Sequence, residues 1–134
     1  MKREVKFIFL KGDEDMIDHI KCINELKCLY WTKGPKRFAI GDICYLYLTN
    51  GGYNQICYKL KVANTSTSRK DEKFWKVPFF PDPDCIKLIP ISSMYEGNYL
   101  KRADLENIGI SRYIQSYKYL DKEQVDYIEQ ELQK

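Results

Sequence analysis

The segment Gly41-Asp42-Ile43-Cys44-Tyr45-Leu46-Tyr47-Leu48-Thr49, followed by Asn50-Gly51-Gly52-Tyr53-Asn54, decides how the chain is interpreted. Gly41-Asp42 predicts a tight turn, and the residues that follow it predict a regular strand. The Asn-Gly-Gly run predicts a hairpin, because these residues readily adopt the positive φ angles of tight turns. The return strand, Gln55 to Ala63, alternates between two faces, with Ile56, Tyr58, Leu60 and Val62 on one and Gln55, Cys57, Lys59 and Lys61 on the other.

Further elements are predicted before this hairpin. Val5 to Leu10 is typical of a buried strand, and Gly12-Asp13 ends it. Asp13 through Leu26 has apolar residues at helical spacing and acidic residues in its first turn, which predicts an amphipathic helix. Cys28 to Thr32 predicts a second strand.

The part after the hairpin begins with a long polar loop over residues 64–84, which carries Phe74, Trp75, Phe79 and Phe80. Loops of that length usually bind or cover something. A strand over Cys85 to Ile91 and a short helix over Leu100 to Ile108 follow. The last helix begins after Asp121, where Gln124 completes a capping box. Without repeats or a linker, residues 1–134 are predicted to form one domain.

Composition narrows the functional classes. The net charge is only +3, although residues 59–76 are mostly basic and the last helix is acidic. The basic run favours phosphate binding but is equally typical of a solvated face. Five cysteines without a Cys-x-x-Cys pair exclude a finger-like zinc site, and we expect no cofactor. No signal peptide or membrane span is predicted, so we expect a cytoplasmic protein without membrane association.

The sequence contains no recognisable catalytic motif. His19 is the single histidine and falls within the predicted first helix among acidic residues. No glycine-rich phosphate loop is present, and the histidine and cysteine pattern of zinc deaminases is missing. We therefore expect a binding protein and not an enzyme.

Several pieces of the chain resemble the EVE-like group of the PUA superfamily in their order and spacing. They are Tyr30-Trp31-Thr32, the Gly41-Asp42 strand, the return strand ending at Lys61-Val62, Leu88-Ile89, and Arg112-Tyr113-Ile114-Gln115-Ser116 before a closing helix. The resemblance implies an α+β fold, a PUA-like mixed β pseudo-barrel flanked by helices. It also implies binding of a flipped, modified base between aromatic side chains. EVE-like modules occur in bacterial systems that restrict modified DNA and as stand-alone proteins.

The candidate nucleic-acid-binding residues follow in part from this resemblance and in part from residue type and position in the sequence. Trp31 is expected to stack on the base and Thr32 to contact its edge, while Tyr47, Thr49 and Asn50 contribute at the end of their strand. Trp75 and Phe79 of the long loop, which match no part of the family pattern, are candidates for the opposing aromatic face. Arg112 and Gln115 are candidates for phosphate and base contacts, and Lys33, Lys36 and Arg37 for the backbone. Each aromatic residue is also compatible with a place in the core, Trp75 with a lid, and Arg112 and Gln115 with a structural bridge.

The expected partner is DNA or RNA with a modified base, bound by a monomer, as the reader part of a modification-dependent restriction system. Nuclease activity would come from a partner or a fused domain. The alternative is a protein–protein interaction module that uses the aromatic 74–80 loop as its contact surface.

Overall fold

The structure is a computed structural model that describes residues 4–33, 37–81, 84–114 and 116–134. Its strands are β1 (Phe7–Asp13), β2 (Leu29–Thr32), β3 (Ile43–Thr49), β4 (Gln55–Thr67), β5 (Cys85–Pro90) and β6 (Tyr117–Tyr119). Its α-helices are α1 (His19–Leu26), α2 (Arg102–Glu106) and α3 (Lys122–Leu132), and a 3₁₀ turn spans Glu72–Phe74.

The six strands form one mixed sheet in the order β2-β5-β4-β3-β1-β6, curled into a half-barrel. β1 pairs with β3 in parallel, and the other neighbouring strands are antiparallel. The connection from β1 to β3 runs through α1 and β2, which supplies the long crossover that a parallel pair requires. The predicted α+β pseudo-barrel with flanking helices is confirmed.

Each face of the central strands packs into its own hydrophobic core. Ile8 and Leu10 of β1 belong to the core that includes α1 residues, together with Leu46 and Leu48 of β3. Phe9, Tyr45 and Tyr47, which alternate with them, belong to a second core that includes α2 and α3 residues such as Leu105 and Ile128. Because both faces are covered, these strands have no exposed face, as their apolar sequences require.

A β-bulge changes the predicted faces of the return strand. Leu46 pairs with Tyr58 but Tyr47 pairs with Ile56, so Cys57 is the extra residue in β4. Ile56 therefore packs beneath α2 and α3, whereas Tyr58, Leu60 and Val62 pack in the other core. The prediction that these four residues share a face was wrong, because strand periodicity cannot register an inserted residue.

The first helix is shorter than predicted. β1 continues to Asp13, which pairs with Thr49, and the helix begins at His19 with Asp18 as its N-cap. The segment from Glu14 to Asp18 runs beside residues 74–76 instead: Asp18 N donates to Phe74 O and Lys76 N donates to Met16 O. The acidic residues that suggested a helical first turn belong to a turn and a cap.

The later elements agree in part with the sequence. The capping box of Asp121 and Gln124 is confirmed, and α3 begins directly after Asp121. β4 continues to Thr67 and shortens the predicted loop, while β6 was not predicted. Among the described residues, no helix is both long enough and apolar enough to span a bilayer.

Candidate functional site

A cleft of about 650 Å³ opens beside β2 and contains both tryptophans of the chain, Trp31 and Trp75, in its lining. We call it the aromatic cleft; its lining also includes His19, Thr32, Thr49 and Arg69. Its volume lies within the range of about 300–1,000 Å³ that is typical of small-molecule sites. The pairing of β1 with β3 and of residues 14–18 with 74–76 brings these distant parts of the sequence together.

Trp31 is positioned by β2, where it pairs with Ile86 of β5. Its indole is half-buried, with one part packed against the hydrophobic core that includes α1 residues. The ring centre lies 5.9 Å from that of His19, and the two planes are tilted by 38°. A half-buried indole with a cleft beside it can stack on a flat ligand, which a completely buried core tryptophan cannot do.

His19 is a cleft residue that the sequence interpretation missed. The ring Nδ1 lies 2.5 Å from Glu14 Oε1, and the same oxygen accepts the His19 backbone N–H at 2.9 Å. Both side chains are 5% exposed. The carboxylate fixes the orientation of the imidazole, so His19 forms a rigid part of the cleft lining. The close spacing of Glu14 and His19 in the sequence is the one signal that could have suggested this pair.

Trp75 reaches the cleft from the segment after the 3₁₀ turn, through an antiparallel bridge with Ile17. The Arg69 guanidinium lies 5.0 Å from the centre of its ring, and Phe79 packs edge-on at 5.0 Å. The indole Nε1 is buried without a hydrogen-bond partner among the described residues. Arg69 and Phe79 thus hold the ring, while its polar donor remains unsatisfied.

Arg69 connects the two tryptophan-bearing segments. Its guanidinium forks onto Asp71 with two 3.2 Å hydrogen bonds, and it donates to Tyr30 O at 2.7 Å and to Thr32 Oγ1 at 3.0 Å. The side chains of Arg69 and Asp71 are only 4% and 1% exposed. Arg69 therefore ties β2 to the segment that carries Trp75, and Thr32 is partly occupied by this contact.

The expected phosphate surface over residues 59–76 is smaller than the sequence suggested. Arg69 is buried against Asp71, Lys59 pairs with Glu129 at 2.8 Å, and Lys73 pairs with Glu25 at 2.6 Å. The sequence could not reveal these carboxylates as partners, because Glu129 and Glu25 are distant along the chain. The exposed cations of this stretch that form none of these pairs are Lys61, Lys70 and Lys76.

A second cavity of about 240 Å³ adjoins the aromatic cleft and shares Lys11 and Thr49 with it. We call it the cationic cavity. It brings together four of the predicted site residues, with Phe9, Arg102 and others completing its lining. The four are Tyr47, Thr49, Asn50 and Arg112.

Tyr47 and Asn50 contribute differently to this cavity. Tyr47 is 5% exposed, and burial raises the pKa of its hydroxyl, although the charge of Arg102 acts in the opposite direction. Asn50 has a φ of 63° in the hairpin turn, and its Nδ2 donates to Asp13 Oδ1 at 2.7 Å. Tyr45, which lies two residues before Tyr47 on β3, is completely buried in the core.

The remaining predicted residues have separate environments. Lys33 lies 3.8 Å from Asp84 and lines neither cavity. Arg112 forks onto Glu106 at 2.6 and 2.8 Å, which links it to α2 and accords with the bridging interpretation. Gln115 and Lys36 lie outside the described residues. Within the described ranges, no group of three or more His, Cys, Asp or Glu side chains could hold a metal ion.

Comparison of sequences leaves the family open, because no family model and no curated protein sequence matches the chain. Solved structures do match its fold. Rpa0253 from Rhodopseudomonas palustris has a TM-score of 0.63 at 11% identity, over 96% of this chain and 94% of its own. A hypothetical protein from Leishmania major has a TM-score of 0.62 at 12% identity, over 97% of this chain and 96% of its own.

Human THYN1 also shares the fold, with a TM-score of 0.61 at 13% identity over 96% of this chain and 98% of its own. Its structure is a complex with DNA that contains 5-methylcytosine. At these identities the likeness extends to the fold and not to individual residues.

Proposed function

We propose that the protein is a nucleic-acid-binding module whose aromatic cleft holds a flipped, modified base, and that it is not an enzyme. The observation that carries the proposal is the presence of Trp31 and Trp75 together in one open cleft. The fold shared with human THYN1, whose structure contains 5-methylcytosine DNA, supports it independently. The resemblance of the chain to EVE-like modules agrees with both.

The chemistry of the cleft suits a nucleobase. Indole rings provide stacking surfaces, and base–aromatic stacking is worth roughly 1–3 kcal/mol per base. Thr32 and His19 supply polar groups near Trp31, and a base has donors and acceptors on its edge. Trp75 adds the exposed part of a second indole ring to the same lining.

In a cell, such a reader would serve a modification-dependent restriction system. It would act as a monomer and recruit a nuclease as a partner or a fused domain. The basis for this role is the resemblance to EVE-like modules found in such systems.

The deciding experiment is a fluorescence titration with single-stranded DNA octamers that contain either cytosine or 5-methylcytosine at one position. Both tryptophans of the chain line the cleft, so their quenching reports on it directly. We expect quenching by the methylated octamer that weakens with salt. Trp31→Ala should weaken binding roughly 5- to 150-fold and remove the preference for the methylated base. Circular dichroism verifies that the variant is folded.

Phe80→Ala is the matched control, because Phe80 belongs to the 74–80 loop and is 77% exposed but does not line the cleft. We expect it to bind both octamers as the native protein does. Retained discrimination in a folded Trp31→Ala variant would contradict the proposed base site. If no octamer bound, while Phe80→Ala abolished association with a stably captured protein, the interaction-module alternative would replace the proposal.

A further inference from the structure

The cationic cavity contains positive charge without an opposing carboxylate. Lys11, Arg102 and Arg112 contribute cations, and no Asp or Glu occurs among the described residues that line it. Glu106 neutralises part of the Arg112 charge from outside the cavity. The Arg102 side chain lines the cavity and forms no ion pair or hydrogen bond within the described ranges, although the Glu106 carboxylate senses its charge.

Two further groups in this cavity are ready to donate hydrogen bonds to an anion. The Tyr47 hydroxyl has no hydrogen-bond partner among the described residues, although its ring is 5% exposed. Lys11 Nζ donates to the Arg112 backbone carbonyl at 3.1 Å, which fixes one of its three protons and leaves the others available. Charged and neutral donors around one small space are the arrangement that a phosphate group requires.

The position of the cavity identifies the phosphate. Lys11 and Thr49 line both the cationic cavity and the aromatic cleft, so the two spaces share a boundary. At about 240 Å³, the cavity is smaller than a typical small-molecule site, which suits a phosphate better than a second nucleotide. We propose that the cationic cavity binds the phosphodiester group next to the nucleotide whose base occupies the aromatic cleft. This proposal rests on the proposed function of the cleft.

The test uses single-stranded DNA octamers with one central 5-methylcytosine. In two of them, the phosphodiester on the 5′ or the 3′ side of that nucleotide is replaced by an uncharged methylphosphonate. For the native protein, we expect one of the two replacements to weaken binding about three- to tenfold. Arg102→Ala should weaken binding of the unmodified octamer by a similar factor, and the sensitive methylphosphonate should then cause no further loss.

Tyr47→Phe keeps the buried ring and removes only the hydroxyl, so it should reduce the effect of the same methylphosphonate without loss of the fold. Lys61→Ala is the charge-matched control, because Lys61 is an exposed β4 residue that lines neither cavity. In this variant, each methylphosphonate should weaken binding by the same factor as in the native protein.

The phosphate assignment would be overturned if each methylphosphonate weakened binding by the same factor in the native protein and in Arg102→Ala. In that case, a preserved preference for 5-methylcytosine that depends on Trp31 would leave the proposed function of the cleft intact. Absence of any Trp31-dependent binding would overturn both proposals together.

Discussion

Tyr45 and Trp75 are both large aromatic residues with a polar group on the ring, and the fold gives them opposite surroundings. Tyr45 has no exposed surface, and its hydroxyl donates to Glu129, which also accepts from Lys59 at 2.8 Å. Trp75 remains partly exposed in the aromatic cleft, and its Nε1 has no partner in the described part of the chain. The first region is sealed by α3, and the second stays open beside β2.

The difference separates groups that stabilise the fold from groups that can contact a ligand. A buried hydroxyl that already donates to a carboxylate has no hydrogen left to offer. The Nε1 of Trp75 is buried, so the surface that Trp75 offers to a ligand is the exposed part of its ring. We therefore expect Tyr45 to matter for stability and Trp75 for binding, although both residues are aromatic and lie near charged side chains.

The largest expected effect concerns the buried pair that supports the cleft. Asp71→Ala leaves the Arg69 guanidinium buried without its carboxylate, since the two side chains are 4% and 1% exposed. Removing one partner of a buried ion pair typically lowers the free energy of unfolding by about 3–5 kcal/mol. Urea denaturation measures this loss, and octamer binding should weaken as well because Arg69 contacts Trp75.

Asp126→Ala is the matched control for this prediction. Asp126 pairs with Lys122 at 2.8 Å on the exposed side of α3, and such solvent-screened surface pairs contribute little to stability. If the two variants lost equal stability, the cleft would not depend on a buried pair.

Tyr45→Phe tests the sealed region. It removes a hydrogen bond to a charged group, so the free energy of unfolding should fall by about 1.5–3 kcal/mol while octamer binding stays unchanged. A change in base preference in this variant would remove the distinction between the two regions.

The same variant has a pH signature. Burial, followed by the hydrogen bond and the charge of Glu129, raises the pKa of Tyr45 above its usual value of 10.0. The folded protein therefore keeps this proton where the unfolded chain loses it. The stabilisation is complete below about pH 10 and declines above it, so the stability gap between native protein and Tyr45→Phe should narrow in alkaline solution. A gap that widened above that pH would contradict the raised pKa.

The sequence predicted the features that depend on local interactions and missed those that depend on tertiary contacts. The strand Ile43–Thr49, its hairpin and the capping box at Asp121 depend on local chemistry and were predicted correctly. The bulge at Cys57 and the late start of α1 at His19 depend on tertiary pairing, which no local pattern encodes. A similar limit applies to the candidate site.

Trp31 and Trp75 were both selected from the sequence, and the structure brings them to one cleft. Arg69 was counted as a surface charge, because nothing in its neighbourhood indicates that it is buried across Tyr30 and Thr32. His19 was assigned no role, since its position beside Trp31 depends on the packing of α1 against β2 and not on its own segment. Residue types were thus predictable, but the contacts that define their roles were not.

The smallest expected effect concerns the edge of the cleft, where electrostatics replaces stacking. Lys33 is 33% exposed and forms a long ion pair with Asp84 at 3.8 Å, a surface contact that a phosphate of the nucleic-acid backbone can replace. Lys33→Ala should weaken all octamers alike and lower the salt dependence of binding by about one unit of slope. Lys122→Ala is the control, because Lys122 lies on the acidic helix α3, and it should leave that slope unchanged. A backbone phosphate carries no sequence information, so a variant of Lys33 that altered the preference for 5-methylcytosine would have to act on the base itself. That result would extend the aromatic cleft to Lys33 and move the boundary between the regions that read a base and those that attract its backbone.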